Sequence, residues 1–373
     1  MHILLLNQFI PPEGAPTAKL IGDLQEAFEQ EGWTVTALGA SRSYRGGAVR
    51  GWQRILRDLR ANAVLLWKGL TAPRPDWVLC LSDPPGLPFT ATVIAQLRRA
   101  RLAHWAMDVY PEIAVALGVL PNHSWITRWV SHAMRSAYRR CDHLAGLDAD
   151  MASLLSRAAS RPVAVLPPWP PQISAPSQPA PKAPPPDDQT SPRIWLYSGN
   201  LGRAHDYATL LEAQRLLENQ NSPWKLIFQG GGPARPAAMQ MAANLQLSRC
   251  TWLDYVPEEE LLSSLQSADV LIASQRRECQ GLLWPSKLAL MQHLDRPLAF
   301  IGPAHSAVAD WIRARGDGSF VCEPGDAGSL ADFISKAAPH RQPRIVSTRL
   351  HKNVRTDRQQ GAHQWVSWLK DKS

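Results

Sequence analysis

The groups best suited to hold a phosphate cluster in the run Glu278-Cys279-Gln280-Gly281-Leu282-Leu283-Trp284-Pro285-Ser286-Lys287. Proline is tolerated at the start of a helix because its missing amide donor would be unpaired there. Pro285 therefore predicts a helix whose first turn offers the Ser286 hydroxyl, the Lys287 ammonium and free amides. A positive helix end with those groups suits a diphosphate, and the same residues also describe a capped helix with a surface lysine. Three glycine-bearing turns read in the same double way, as ligand cradles or as plain tight turns. They are Asn7 to Thr17 with Gly14, Tyr197-Ser198-Gly199-Asn200-Leu201-Gly202-Arg203-Ala204-His205-Asp206, and Phe228-Gln229-Gly230-Gly231-Gly232-Pro233. Each follows an apolar run, and the second sets an arginine beside small residues, a pairing that suits phosphate.

These turns need strands and helices to place them. Before residue 166, apolar runs at Ile3 to Leu6, Thr34 to Leu38, Val78 to Leu81 and Leu102 to Ala106 alternate with amphipathic stretches such as Thr17 to Gln30. The rhythm returns with Ile194 to Tyr197, Lys225 to Phe228, Thr251 to Leu253, Val270 to Ala273 and Leu298 to Ile301, with helices from Tyr207 and near Ala237 to Leu245. Strand and helix in alternation predict parallel sheets, here two doubly wound α/β halves. Ligands of such sheets bind past the carboxyl ends of the strands, where the three turns lie. Eleven of the 32 prolines crowd into residues 167–192, a semi-extended linker that divides the 373-residue chain almost in half.

Composition narrows the function classes. Charged residues make up 19% and hydrophobic residues 45%, the balance of a globular chain with two cores. Five scattered cysteines without a Cys-x-x-Cys pair argue against a disulfide framework and a zinc ribbon. The N-terminal residues lack a basic leader and no apolar run is long enough to span a bilayer, so a cytoplasmic protein is expected. The net charge of +8 attracts an anion, whether nucleic acid, membrane surface or phosphorylated small molecule. Basic residues are scattered through both halves and no nucleic-acid-binding module is legible, so no nucleic acid is expected as partner.

Two basic, tryptophan-bearing helices stand out in the first half. One carries a stripe of Trp52, Ile55, Leu56, Leu59, Ala63, Leu66, Trp67 and Leu70 among Arg50, Arg54, Arg57, Arg60 and Lys68. The other carries Trp125, Trp129, Arg128, Arg135, Arg139 and Arg140. Such helices either lie on their own sheet with solvated arginines or touch anionic lipid. Asp148-Ala149-Asp150, the one Asp-x-Asp, is placed after a helix and reads as a helix cap.

Four segments, taken in order, resemble the retaining family 4 glycosyltransferases of bacterial polysaccharide pathways. They are Asn7 to Thr17, His104-Trp105-Ala106-Met107-Asp108-Val109-Tyr110-Pro111-Glu112, Tyr197 to His205, and Gly281 to Lys287. The resemblance runs over residues 1–335 and implies a GT-B fold, two facing Rossmann-like domains with an interdomain cleft. Domain bounds follow: 1–166 for the acceptor, 167–192 as linker, 193–345 for the nucleotide-sugar, and 346–373 as a helical segment returning to the first domain. It implies Asp108 and Glu278 as catalytic candidates, and Gly14, Asn200, Arg203, Ser286 and Lys287 around the donor phosphates. Tyr255 and Val256 would meet the base. The donor would be a UDP- or GDP-sugar and the acceptor a saccharide or lipid-linked saccharide, with no cofactor or metal and with retention of configuration. An anionic membrane on the cytoplasmic face of the inner membrane is a further expected partner.

The chain departs from that family in two places. The second of its two glutamates is absent, the position falling on Ser286 or Leu290 according to the register used. His205 replaces a common lysine, which would make its charge depend on pH. The competing readings are a GT-B protein that transfers no sugar, such as a sugar-nucleotide epimerase or a silent partner subunit. Asp108 has its own alternative, capping the helix after its strand.

Overall fold

The computed structural model describes residues 1–40, 52–172, 193–337 and 348–371. Most of the proline-rich linker, residues 173–192, and Arg50 lie outside them, as does the side chain of Trp52. By contacts the chain divides into two units, one of Met1–Pro171, Gly281–Trp284 and Thr356–Ser373, the other of Gln172–Gln280 and Pro285–Arg355.

The first unit runs β1 (His2–Leu6), α1 (Pro16–Gln30), β2 (Thr34–Leu38), α2 (Trp52–Thr71), β3 (Trp77–Cys80), α3 (Leu87–Arg98), β4 (Arg101–Trp105), α4 (Glu112–Ala116), α5 (Trp125–Arg140), β5 (His143–Gly146), α6 (Ala149–Ala159) and β6 (Ala164–Val165). All six strands are parallel, in the order β2-β1-β3-β4-β5-β6. In β1, Ile3 to Leu6 are fully buried, the unbroken apolar run of a strand covered on both faces. Asp148 caps α6 by accepting the Met151 amide at 2.8 Å, the cap read from the sequence, although the residue follows a strand rather than a helix.

The second unit runs β7 (Arg193–Ser198), α7 (Ala208–Asn219), β8 (Trp224–Gln229), α8 (Arg235–Asn244), β9 (Cys250–Leu253), α9 (Glu258–Gln266), β10 (Val270–Ser274), α10 (Leu288–Met291), β11 (Leu298–Ile301), α11 (Ala307–Ala314), β12 (Phe320–Cys322) and α12 (Ala327–Lys336). Its parallel order is β12-β11-β10-β7-β8-β9, that of a dinucleotide-binding sheet. Trp195, Trp224, Leu210 and Phe228 anchor its core. The last helix, α13 (Thr348–Lys370), is longer than its sequence signal and seals the first unit. Its fully buried Trp365 lies 5.3 Å from the Trp105 ring, and Arg358 pairs with Asp23 at 3.0 Å.

Two places bear on alternatives that the sequence leaves open. In α2 the residues that turn inward are Ala61 and Leu65, whereas Ile55, Leu56, Leu59 and Trp67 of the predicted stripe are exposed. The inward face is small because α2 approaches α3 closely: a Cβ on Gly69 would lie 2.6 Å from Ile94. Lysine 287, read as surface or ligand-facing on a helix, has a buried ammonium.

Candidate functional site

In the second unit, strand order reverses between β7 and β10, which opens a crevice past their carboxyl ends. The turn after β7 and the turn after β8 interlock there. The Leu201 amide donates to the Gly231 carbonyl at 2.7 Å and the Gly199 amide to the Gln229 carbonyl at 2.8 Å. Gly199, Gly230 and Gly232 have φ of 121°, 126° and 129°, and a Cβ on Gly230 would sit 2.4 Å from the Gly199 carbonyl oxygen. Only glycine permits this approach, so packing as well as any ligand demands it.

Lys287 closes the crevice from the other side. Its Nζ stands 3.3 Å from the centroid of the Tyr197 ring and has no hydrogen-bond acceptor among the described residues. A Cβ on Gly199 would come within 3.8 Å of it, which places the ammonium directly against the glycine turn. Burial pushes its pKa well below the ordinary lysine value, while the tyrosine face favours the charged form. Helix α10 begins at Leu288 with Lys287 as its N-cap residue, later than Pro285 predicted, because the chain first makes a turn in which the Leu288 amide donates to the Pro285 carbonyl. Ser286 is exposed just before it.

His205 lies at the same crevice, with its Nδ1–H donating to the Ser274 carbonyl at 2.6 Å and its ring edge-on to Tyr197. Burial, with the neighbouring Lys287 charge, lowers its pKa to about 3. It is neutral at pH 7, so it does not replace the charge of the lysine it was compared with. Arg203 is exposed on the turn and makes no ion pair among the described residues. Tyr255, after β9, covers Gly230 and Gly231, and its hydroxyl reaches Asn200 Oδ1 at 3.5 Å; Val256 follows, half-buried. Glu278 is exposed and paired with Arg276 at 3.3 Å.

Gly14 and Asp108 belong to the first unit. Gly14 is exposed, has no left-handed φ, and a Cβ there would meet nothing within 4 Å, so the backbone does not require glycine. Asp108 does not cap the following helix, whose N-cap is Pro111 without a side-chain bond. Instead it forms a lone antiparallel bridge with Leu283, while the Val109 amide donates to the Leu282 carbonyl at 2.9 Å. Ser82 fixes the Asp108 backbone: its hydroxyl donates to the Asp108 carbonyl at 3.0 Å and accepts the Met107 amide at 2.9 Å. Burial raises the Asp108 carboxyl to about 6.

Sequence reading missed Asp83. It follows β3, beside the point where the order of the first sheet reverses between β1 and β3, and its carbonyl accepts the Gln8 amide from the loop after β1 at 2.6 Å. An aspartate inside Asp-Pro-Pro-Gly looks like ordinary turn chemistry, and only the strand order gives it significance. Among the described residues no three His, Cys, Asp or Glu side chains gather as a metal site.

Residues 192–338 match the family described as glycosyl transferases group 1. The chain is 26% identical over 273 residues to a probable glycosyltransferase, WbjE, of Pseudomonas aeruginosa, covering 71% of this chain and 66%, just under two thirds, of that protein. Among solved structures it is similar to the lipopolysaccharide outer core galactosyltransferase WaaB in apo form, with TM-score 0.60 and 12% identity, all of each chain being covered. Anabaena HepE in complex with UDP is alike at TM-score 0.61 and 12% identity, again over the whole of both chains. The chain has the GT-B fold and is related to bacterial glycosyltransferases.

Proposed function

We propose that this protein is a retaining glycosyltransferase that moves a sugar from a nucleoside-diphosphate sugar to a saccharide or lipid-linked saccharide acceptor. The observation that carries the reading is the buried, acceptor-free Lys287 ammonium set against the Gly199 turn at the switch point of the second sheet. A buried cation without a hydrogen-bond acceptor is costly, and an anionic ligand relieves that cost. As the sugar departs, negative charge grows on the diphosphate, and the Lys287 ammonium and the Arg203 guanidinium meet it. Ser286 adds a hydroxyl, and Tyr255 with Val256 lies where a base attached to that diphosphate would rest.

Asp108, in the first unit, serves the acceptor in this reading. Glu278 contributes an exposed carboxylate for the donor's hydroxyls, singly, since Ser286 and Leu290 supply no second one. The match to group 1 glycosyl transferases supports the class of reaction. Incubation with a panel of UDP- and GDP-sugars, reading released nucleotide, tests it; absence of turnover with every donor together with absence of nucleotide binding overturns it.

The same reading places the protein on the cytoplasmic face of the inner membrane, as a peripheral protein. Helix α3 packs against both α2 and α5, and α2 and α5 expose Ile55, Leu56, Leu59, Trp67, Trp125 and Trp129 among arginines. Trp125 is 77% exposed and Trp129 65%, uncommon for side chains without a partner surface. Among the described residues no helix is long and apolar enough to cross a membrane, so the attachment would be interfacial.

A further inference from the structure

The carboxyl end of the first sheet carries two acids on adjacent strands. Strands β3 and β4 run in register, Cys80 beside His104, so Asp83 and Asp108 emerge side by side three and four residues later. The Ser82 hydroxyl, one residue before Asp83, holds the Asp108 backbone through the bonds described above and through the Asp108 amide at 3.3 Å. These bonds tie the two loops together. Neither carboxyl group has a hydrogen-bond donor or a paired cation among the described residues, although both residues are half-buried. A lone structural acid in such a place is normally paired or capping, and these two do neither.

The charged groups around them are few. From α2 come Arg54, Arg57 and Asp58, of which Asp58 holds the two arginines at 3.8 and 3.1 Å. After β4 comes the Tyr110 phenol, pushed upward by burial and further by the charges of Asp108 and Asp83. Desolvation and the Asp108 charge raise Asp83 to about 7, with Asp58 adding and the two arginines opposing. Two interacting carboxyls of this kind titrate as a pair.

We propose that Asp83 is an acceptor-site residue that works with Asp108 as one carboxyl pair at the carboxyl end of the first sheet. The ionised member accepts a hydrogen bond from an acceptor hydroxyl and the protonated member donates one, so the pair binds a sugar hydroxyl from both sides. Asp83 owes its place to the strand order, since it stands at the switch point where α/β sheets bind ligands. The proposal rests on the glycosyltransferase reading for the identity of the ligand, but the pairing itself does not.

The test uses the full chain with 13C-carboxyl aspartate, wild type, Asp83→Asn and Asp108→Asn. In the wild type, two coupled steps are expected, the upper near pH 7. In each variant the remaining carboxyl is expected to titrate in one step at lower pH, because its charged neighbour is gone. Titration of either carboxyl that is indifferent to the other's removal overturns the pair. Acceptor kinetics supply the second arm: Asp83→Asn is expected to raise the acceptor KM about tenfold and shift the pH profile to lower pH, with nucleotide affinity unchanged. Coupled titration with unchanged acceptor kinetics overturns the site role. Should the wild type turn over no nucleotide-sugar, the glycosyltransferase reading falls while the titration still decides the pair. Asp83→Glu, which keeps the charge, should restore coupling if Asp83→Asn proves unstable, and a variant that refolds without coupling overturns the proposal.

Discussion

The Lys287 ammonium rests 3.3 Å from the centroid of the Tyr197 ring, a separation at which the ring face takes the place of a hydrogen-bond acceptor. Removing the ammonium leaves the glycine turn intact, since Gly199 and Gly230 pack through backbone. Lys287→Ala is therefore expected to weaken UDP or GDP binding by about 1.5–3 kcal/mol, the scale of a hydrogen bond to a charged group, while the fold persists. Calorimetric titration checks this, and equal affinity in the variant for both nucleotides contradicts it.

Gly230→Ala is expected to do the opposite, damaging the fold and the crevice together. Its φ of 126° and a Cβ 2.4 Å from the Gly199 carbonyl force the two turns apart. A loss of about 2–4 kcal/mol in urea unfolding, with nucleotide binding falling in step, is the expected outcome.

Asp108→Asn is expected to cut turnover at least about tenfold with little change in nucleotide affinity or melting temperature, because the side chain does not cap α4 and accepts no hydrogen bond among the described residues. Equal losses of stability and turnover would return it to a structural role.

Acid should weaken the fold through two histidines. Burial holds His104 to about 4 and His205 to about 3, below the ordinary 6.5 that each regains on unfolding. Their contribution is complete above pH 6.5 and is lost as pH falls toward those values, on the order of 2 kcal/mol each by about pH 4.5. His205→Gln should flatten part of that slope between pH 6.5 and 4 in a series of thermal melts. An unchanged slope means that His205 is already protonated in the folded protein.

Vesicle sedimentation tests the exposed face of α2, α3 and α5. Each arginine or lysine near an anionic bilayer contributes about 1 kcal/mol, so binding at low salt that fades as salt rises is expected. Replacing Trp125 and Trp129 together with serine should weaken it without altering the melting temperature, since both side chains are exposed. No binding to anionic vesicles at any salt contradicts membrane attachment.

Much of this was legible in the chain itself. The run Ile3 to Leu6 and its counterpart in Ile194 to Tyr197 declare central parallel strands, and the glycines after β7 and β8 mark where the backbone must approach itself. Short strands with weaker signals escaped: β5 is His-Leu-Ala-Gly and β12 only Phe-Val-Cys, both made strands by their neighbours rather than by their own pattern. The inward face of α2 escaped for a different reason. Periodicity identifies the large apolar residues, but close helix packing selects the small ones, Ala61 and Gly69. At the site, Lys287 and Ser286 were visible as residue types, whereas burial of the ammonium over Tyr197 joins positions ninety apart in sequence. No local spacing carries that.

The α13 helix gives the chain an order of assembly. Trp105 and Trp169 wait for Trp365, and His143 meets Trp368 at 4.3 Å, so the first unit is built around side chains made after the whole second unit. On the ribosome, the six strands from β1 to β6 emerge early with an unfinished aromatic seam. Only when residues 356–371 leave the exit tunnel does that seam close, and a message cut short before Thr356 would yield a first unit permanently open at its tryptophans.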